Sequence, residues 1–474
     1  MMERIARTWP AKISSWLLFA AVAGAPLPFG SDDPAAIAAW SVVLGLVLVL
    51  APFHRLGKGR LTLLALAFGV VAAYALVLHE QLSDRPWLAV ASPHPVWREA
   101  ADVLGAPIAP SVSIARHQPY FALGAPLVAM LALVGAFLVC VDRTRARELV
   151  MVIAWSGAAY ALYGILSHVF DPTRILWRDK EAYLSAVTGT FINRNTAATY
   201  FGSCAVVWLL LLAERVRALL PRGEIVWREA AERVLAEPPR AVVVAFGMLF
   251  ACVSAMFMTG SRGGVVLSLV ALVVAFTTFF RRDLGRRKRL VASVLAGAAV
   301  ALVLLQIMGA GTSARFDLQG AADEGRLATY RSTLRMIADH PWFGTGQGTF
   351  AQAFPAYRSA EVSLWGVWDI AHNTLLEIAA DMGLPIAGLV VLGWAVMFGV
   401  LIHGVRMRHR DLVVPVSALA VAGLAALHSL IDFSLQIPGY AIVAMALIGA
   451  GLAQSFSSRD GAREAPVPGL TVNG

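Results

Sequence analysis

Charge is what this chain has least of. Of its 474 residues 15% are Asp, Glu, Lys or Arg, against 58% hydrophobic, and mean hydropathy is +0.69. A soluble domain carries about a quarter charged residues, so the composition excludes one and implies an integral membrane protein. Cysteine is scarce as well. Cys140, Cys204 and Cys252 all lie inside apolar runs without metal-ligand spacing, so they read as small hydrophobes in helix packing. No H-E-x-x-H, P-loop or dinucleotide fingerprint occurs, so neither a metal nor a nucleotide cofactor is expected. The formal charge of +9 sits mainly in short loops beside apolar runs. Basic tails interleaved with aromatics are missing, and nucleic acid is not an expected partner.

What is present is apolar helix. A span takes roughly 20 apolar residues. Stretches of that kind fall near 13–30, 36–53, 61–79, 120–141, 149–170, 196–214, 241–259, 263–280, 290–310, 384–403, 412–431 and 438–455. The fold class is therefore all-α, a polytopic protein of about 12 transmembrane helices forming one membrane domain over 1–474. The first stretch follows Arg4, Arg7 and Lys12 and has the outline of a signal peptide, with Ala21–Ala25 as its small-residue segment; with so many spans following, a retained first helix is expected.

Sidedness comes from the basic residues. Most of the 39 Lys and Arg lie in 1–13, 54–60, 142–148, 214–240, 281–289, 403–410 and 456–474. The positive-inside rule places these segments and both termini in the cytoplasm, leaving 80–119, 171–195 and 311–383 outside. Arg281-Arg282 and Arg286–Arg289 read as stop signals at the inner surface. The tail after Ser457 is expected to be disordered.

The outer 311–383 loop carries five arginines, eight acidic residues and no lysine. Within it, Asp323-Glu324-Gly325 leads into a helical pattern with Leu327, Tyr330, Leu334 and Ile337 on one face, stopping at Asp339 before His340-Pro341. Arg331 and Arg335 share another face as a solvated pair with Asp339, while Arg326 stands at the helix start, open to a functional role. Gly344-Thr345-Gly346-Gln347-Gly348 has the look of a phosphate cradle. It lacks the preceding strand and the lysine, so a tight connecting turn is expected. Trp342, Trp365 and Trp368 suit either sugar stacking or the membrane interface.

The sharpest element is His372-Asn373-Thr374-Leu375-Leu376-Glu377. Thr374 and Glu377 fit a capping box for a helix running to Met382 and ending at Gly383. His372 then precedes a helix N-terminus, whose positive end favours neutral imidazole, the form a general base needs. Two further arginines sit at outer helix ends. Arg262 lies in Thr259-Gly260-Ser261-Arg262-Gly263-Gly264, where flanking glycines permit close backbone approach. Arg194 lies in Phe191-Ile192-Asn193-Arg194-Asn195. A guanidinium fork keeps its charge and pairs bidentately with phosphate oxygens. His428 and Asp432, one helical turn apart, read as a buried bracing pair.

Together, Thr259–Gly264, Arg326 through Gly348, Ala371-His372-Asn373 through Gly383 and His428–Pro438 resemble the O-antigen ligase family of bacterial inner membranes, over residues 189–439. That superfamily also holds O-antigen polymerases and protein O-glycosyltransferases. The resemblance implies a type-C membrane glycosyltransferase with its active site in the periplasmic loop. Such an enzyme takes a glycan from undecaprenyl pyrophosphate and joins it to lipid A-core in lipopolysaccharide biosynthesis. It implies His372 as base and Arg262, Arg194 and Arg326 as pyrophosphate ligands, with Asn373, Asp432, His428 and Arg331 in support. The implied transfer is inverting and needs neither metal nor cofactor; its partners are the lipid-linked donor, a glycan acceptor and membrane lipids. Many relatives carry a histidine after the Arg-Asn of the sixth span, where this chain has Thr196. Alternatives are a polymerase of O-antigen or exopolysaccharide repeats, a protein O-glycosyltransferase, and a transporter or flippase. A transporter would be expected to show repeated halves and midplane charges, and neither is evident.

Overall fold

The computed structural model describes residues 9–53, 56–219, 232, 238–282, 324–362, 368–408 and 411–456. The expected span at 290–310, the Arg286–Arg289 run, Trp365 and the tail after Ser457 lie outside the described residues. The elements in chain order are α1 (Trp9–Gly24), α2 (Pro34–Val49), α3 (Lys58–Leu82), α4 (Val96–Leu104), α5 (Gln118–Ala122), α6 (Gly124–Val139), α7 (Arg143–Phe170), the two-residue strands β1 (Arg174–Ile175) and β2 (Arg178–Asp179), α8 (Arg194–Leu219), α9 (Arg240–Met258), α10 (Arg262–Phe279), α11 (Glu324–Asp339), α12 (Phe350–Ala353), α13 (Thr374–Met382), α14 (Leu384–Met407), α15 (Val413–Ser429) and α16 (Pro438–Ala453). Every expected span within the described residues coincides with a helix. The first is shorter than expected, ending at Gly24 because Pro26 and Pro28 cannot continue it. Among the described residues seven helices have the length and hydropathy of membrane spans: α3, α5 with α6, α7, α8, α9, α10 and α14. The helices α2, α15 and α16 are apolar but shorter. The protein is an all-α, multi-pass membrane protein.

α8 is the axis of the bundle. Its spanning window is 89% buried, against 11% for α3 and 17% for α14 at the periphery. It packs on α7, α9, α10 and α15, while α16 packs on α6 and α15. Lipid gives helices no hydrophobic reason to associate, so close approach through small residues has to supply the packing. Gly157 on α7 lies against Cys204 on α8, Gly202 on α8 against Ser268 on α10, and Gly451 on α16 against Ala418 on α15. In each case a Cβ would collide with its neighbour. All three cysteines are buried and unbonded, as their apolar settings predict.

The two ends of the bundle differ in chemistry. At one end arginines gather around helix termini. Arg60 donates to Ala453 O (3.2 Å), Arg408 donates to Gln454 Oε1 (2.9 Å), Arg143 pairs with Asp411 (3.5 Å), and Arg281 reaches Val405 O. At the other end the long connections fold into a cap. Thr190 Oγ1 donates to Pro26 O and Val187 N to Met258 O (2.9 Å), binding the 171–195 connection to the bundle. Ile114 N donates to Thr345 O (2.8 Å), and the rings of His94 and His340 stack with centroids 4.6 Å apart. The cap has its own small core, built from Ala328, Met336, Ile337, Phe350, Phe354 and Ala380.

Candidate functional site

The cap closes over two helix tips. α8 begins at Arg194, and Asn193 caps it, Oδ1 accepting the N–H groups of Asn195 (2.6 Å) and Thr196 (3.3 Å). α10 begins at Arg262, and Ser261 caps it through the N–H of Gly264 (3.3 Å). Side chains at the next two positions of α10 would not fit. A Cβ at Gly263 would stand 2.6 Å from Ile431 Cδ1, and one at Gly264 would stand 2.6 Å from Ala198 Cβ. The glycines therefore let the tip of α10 nest against α8 and the 430–433 turn, with Arg194 and Arg262 on adjoining termini. Helix N-termini present unpaired N–H groups and a positive dipole end, a ready site for anions.

Asp432 is the hub. It is 2% exposed and sits in the turn after α15. Its Oδ2 accepts from Asn195 Nδ2 and faces Arg326 Nη2 at 3.6 Å; its Oδ1 accepts Phe433 N (2.9 Å) and faces His372 Nδ1 at 3.5 Å. Arg326 also donates from Nη1 to Ile431 O at 2.7 Å. Burial alone would raise this carboxyl. The approach of His372 and the charges of His428 and Arg326 outweigh it and hold Asp432 below the usual aspartate range.

His372 lies two residues before α13, with a left-handed backbone (φ 54°). Its carbonyl accepts from Tyr330 OH (2.9 Å), and its ring sits between Trp368 and Phe433, at centroid distances of 5.7 and 5.3 Å. The side chain is 27% exposed. With Nδ1 turned to the carboxylate, Nε2 is the nitrogen left for a substrate proton. The cap of α13 is Asn373, one residue earlier than the Thr374 expected: its Oδ1 accepts Leu375 N and Leu376 N, both at 3.1 Å. Asn373 Nδ2 donates to Leu430 O (2.9 Å), and the freed Thr374 hydroxyl donates to Asp432 O (3.3 Å). Both contacts tie the loop of His372 to the turn of Asp432.

The structure thus gathers His372, Asn373, Arg326 and Asp432 at the capped end of the bundle, beside the tips carrying Arg194 and Arg262. The guanidinium of Arg194 lies 4.9 Å over the Tyr183 ring, and its buried Nε has no hydrogen-bond partner among the described residues. His428 and Asp432 are both buried and lie within reach of each other's charge, but no hydrogen bond or ion pair joins their side chains. The His428 ring is buried beneath the turn against Ser434 Oγ (3.1 Å), because the Asp432 carboxylate is taken up by groups from other segments. Arg331 stays outside the cluster and pairs with Glu361 (3.3 Å), while Arg335 donates to Tyr357 O (3.0 Å); neither pairs with Asp339. The face of α11 also differs from the pattern. Ile337 is buried as expected, but Leu327 and Leu334 are exposed, and most of the buried side is Ala328, Thr329, Ser332, Thr333 and Met336, since α11 packs closely on α13 through small side chains.

The 344–348 segment is a turn, as expected. Its amides are occupied by protein. Thr345 N donates to Ala380 O (2.9 Å), Gly346 N to Asp381 O (3.1 Å) and Gly348 N to Asp381 Oδ2 (2.7 Å). Gly344, Gly346 and Gly348 all have positive φ. Sequence reasoning passed over Asn195, Tyr330 and Gln81 as partners of the site. Gln81, at the end of α3, donates to Phe343 O (2.7 Å) and Asp381 O (2.8 Å) and accepts Gln347 N (3.0 Å). Among the described residues no three His, Cys, Asp or Glu side chains gather as a metal-ligand set.

Fold and site together define a helical membrane protein with a polar, arginine-bearing cluster at one end of its bundle. Residues 247–392 match the family model described as O-antigen ligase, which bears out the resemblance to that superfamily. The match covers α10, α11 and the His372 loop and supports a glycan-transfer role in O-antigen or polysaccharide assembly, by a glycosyltransferase-like enzyme. No curated protein matches the chain.

Proposed function

We propose that the protein transfers a glycan from undecaprenyl pyrophosphate to an acceptor sugar hydroxyl at the periplasmic face of the bacterial inner membrane, with lipid A-core as the acceptor. The observation that carries this reading is Asp432. One buried carboxylate gathers His372, Arg326 and Asn195 from three distant segments, next to the two helix tips begun by Arg194 and Arg262. The concentration of arginines at the opposite end supports placing that end in the cytoplasm.

In the proposed step His372 Nε2 takes the proton of the acceptor hydroxyl, and the oxygen attacks the anomeric carbon from the face opposite the pyrophosphate. The bond from that carbon to the phosphate oxygen breaks, inverting the centre. The leaving pyrophosphate gains negative charge, which in this scheme Arg262, Arg194, Arg326 and the two helix N-termini stabilise. Cleavage of the sugar–phosphate bond drives the transfer, so the scheme needs no nucleotide and no metal. A positioned base contributes about 10²–10⁴-fold, and prealigned charge in a partly dry site contributes several kcal/mol more.

The test is a reconstituted transfer assay with lipid-linked glycan and purified core lipid. His372→Ala is expected to lose roughly 10²–10⁴-fold in kcat while remaining folded, and Arg262→Ala is expected to lose more than Arg262→Lys. Full turnover in His372→Ala would refute the base, and absence of transfer by the wild-type protein would point to a transporter. A second lipid-linked repeat accepted in place of core lipid would make the enzyme a polymerase.

A further inference from the structure

Glu377 sits one turn into α13, beneath the loop that carries His372. Its Oε2 accepts the N–H of Ala371, the residue before His372, at 2.8 Å. The Gln436 side chain also reaches it, and Gln436 Nε2 donates to Thr374 Oγ1 at 3.4 Å. Thr374 in turn donates to the carbonyl of Asp432. One carboxylate therefore connects, through short chains of hydrogen bonds, to both members of the His372–Asp432 pair. A turn further on lies Asp381, 4% exposed, whose Oδ2 holds Gly348 N while Oδ1 has no hydrogen-bond partner among the described residues.

We propose that Glu377 is a positioning residue for His372: by holding the Ala371 N–H, its carboxylate fixes the left-handed backbone that aims the imidazole. This rests on the reading of His372 as the base.

Two carboxyls one turn apart in an enclosed helix resist ionising together and titrate as a pair. Glu377 keeps some exposed surface, yet its carboxyl end is crowded by protein. That crowding pushes it up to about 7, opposed by the Ala371 N–H and Gln436 and reinforced by Asp369. Burial, with Glu377 adding, holds Asp381 well above the usual range. Asp381 is then the protonated partner at neutral pH and Glu377 the one that changes. The titratable groups facing the pair are Asp369 from the preceding loop and Tyr74 from α3, whose hydroxyl lies near Asp381. An ionised carboxylate accepts an amide more strongly than a neutral one. The grip on Ala371 accordingly tightens as pH rises through about 7.

The test uses the full protein in proteoliposomes and reads amide hydrogen exchange across 369–376, corrected for intrinsic rates, beside transfer kinetics from pH 6 to 8. In wild type, exchange at Ala371–Asn373 is expected to slow several-fold with a midpoint near 7, and in Glu377→Gln it is expected to lose that dependence. Glu377→Ala is expected to lose about 10–100-fold in kcat with the donor KM unchanged, since a base displaced by about an ångström loses on that scale. The isosteric Gln variant carries the test if the Ala variant misfolds. Identical exchange and pH profiles in wild type and Glu377→Gln would overturn the positioning role. Absent transfer in every form, with the exchange midpoint intact, would sink the transferase reading and leave the positioning role standing.

Discussion

Asp432 keeps its charge by facing two polar neighbours with each of its oxygens. Burying a carboxylate without partners costs several kcal/mol, and here Asn195, Arg326, His372 and the Phe433 amide share the task. Asp432→Asn preserves shape and removes the charge that orients the imidazole. It is expected to lower kcat by roughly 10²–10⁴-fold, the scale seen when an orienting carboxylate is lost, with the protein still monodisperse in detergent. A depressed carboxyl contributes stability that is present above its ordinary range near pH 4 and lost only as pH falls through its lowered value. Asp432 is therefore silent between pH 6 and 8, where any titration of activity has to come from other groups.

At the scale of elements, the apolar runs announced the spans because a bilayer leaves a 20-residue hydrophobic helix few other structures. The start of α13 was legible from local capping chemistry, to within one residue. The hub was not, since Asn195 and Asp432 are 237 positions apart and meet only through the packing of α8, α10 and α15. The face of α11 misled for a related reason. Periodicity finds the apolar side of a helix, but close packing on α13 selected the side with small residues and left Leu327 and Leu334 outward. The cap offers its own pH test. Burial, with His340 beside it, pushes His94 down to about 4, and burial lowers His340 too. Imidazoles held neutral in the fold contribute stability that is present above about pH 6.5 and lost as pH falls toward 4. Thermal denaturation of wild type is expected to drop across that window, and His94→Phe is expected to flatten the drop by keeping the stack without the proton.

For the molecule as a whole, the proposed orientation makes a labelling prediction. The three native cysteines are buried and should stay silent. A cysteine at Asp179, in the cap hairpin and 87% exposed, is expected to react in intact spheroplasts with a membrane-impermeant maleimide. One at Asp411, 58% exposed at the other end, is expected to react only after lysis. The reverse pattern would turn the site toward the cytoplasm and end the periplasmic reading. A mechanical consequence follows from α3. Its apolar run, Leu61–Leu78, is about 27 Å long, a little short of a hydrocarbon slab of about 30 Å, and protein covers little of it. A span that short is accommodated by thinning of the bilayer around it, at a cost that rises with acyl-chain length. Gln81, at its end nearest the cap, grips the backbone at Phe343, Gln347 and Asp381. The thickness of the surrounding bilayer is thereby coupled, through one glutamine, to the short helix that follows His372.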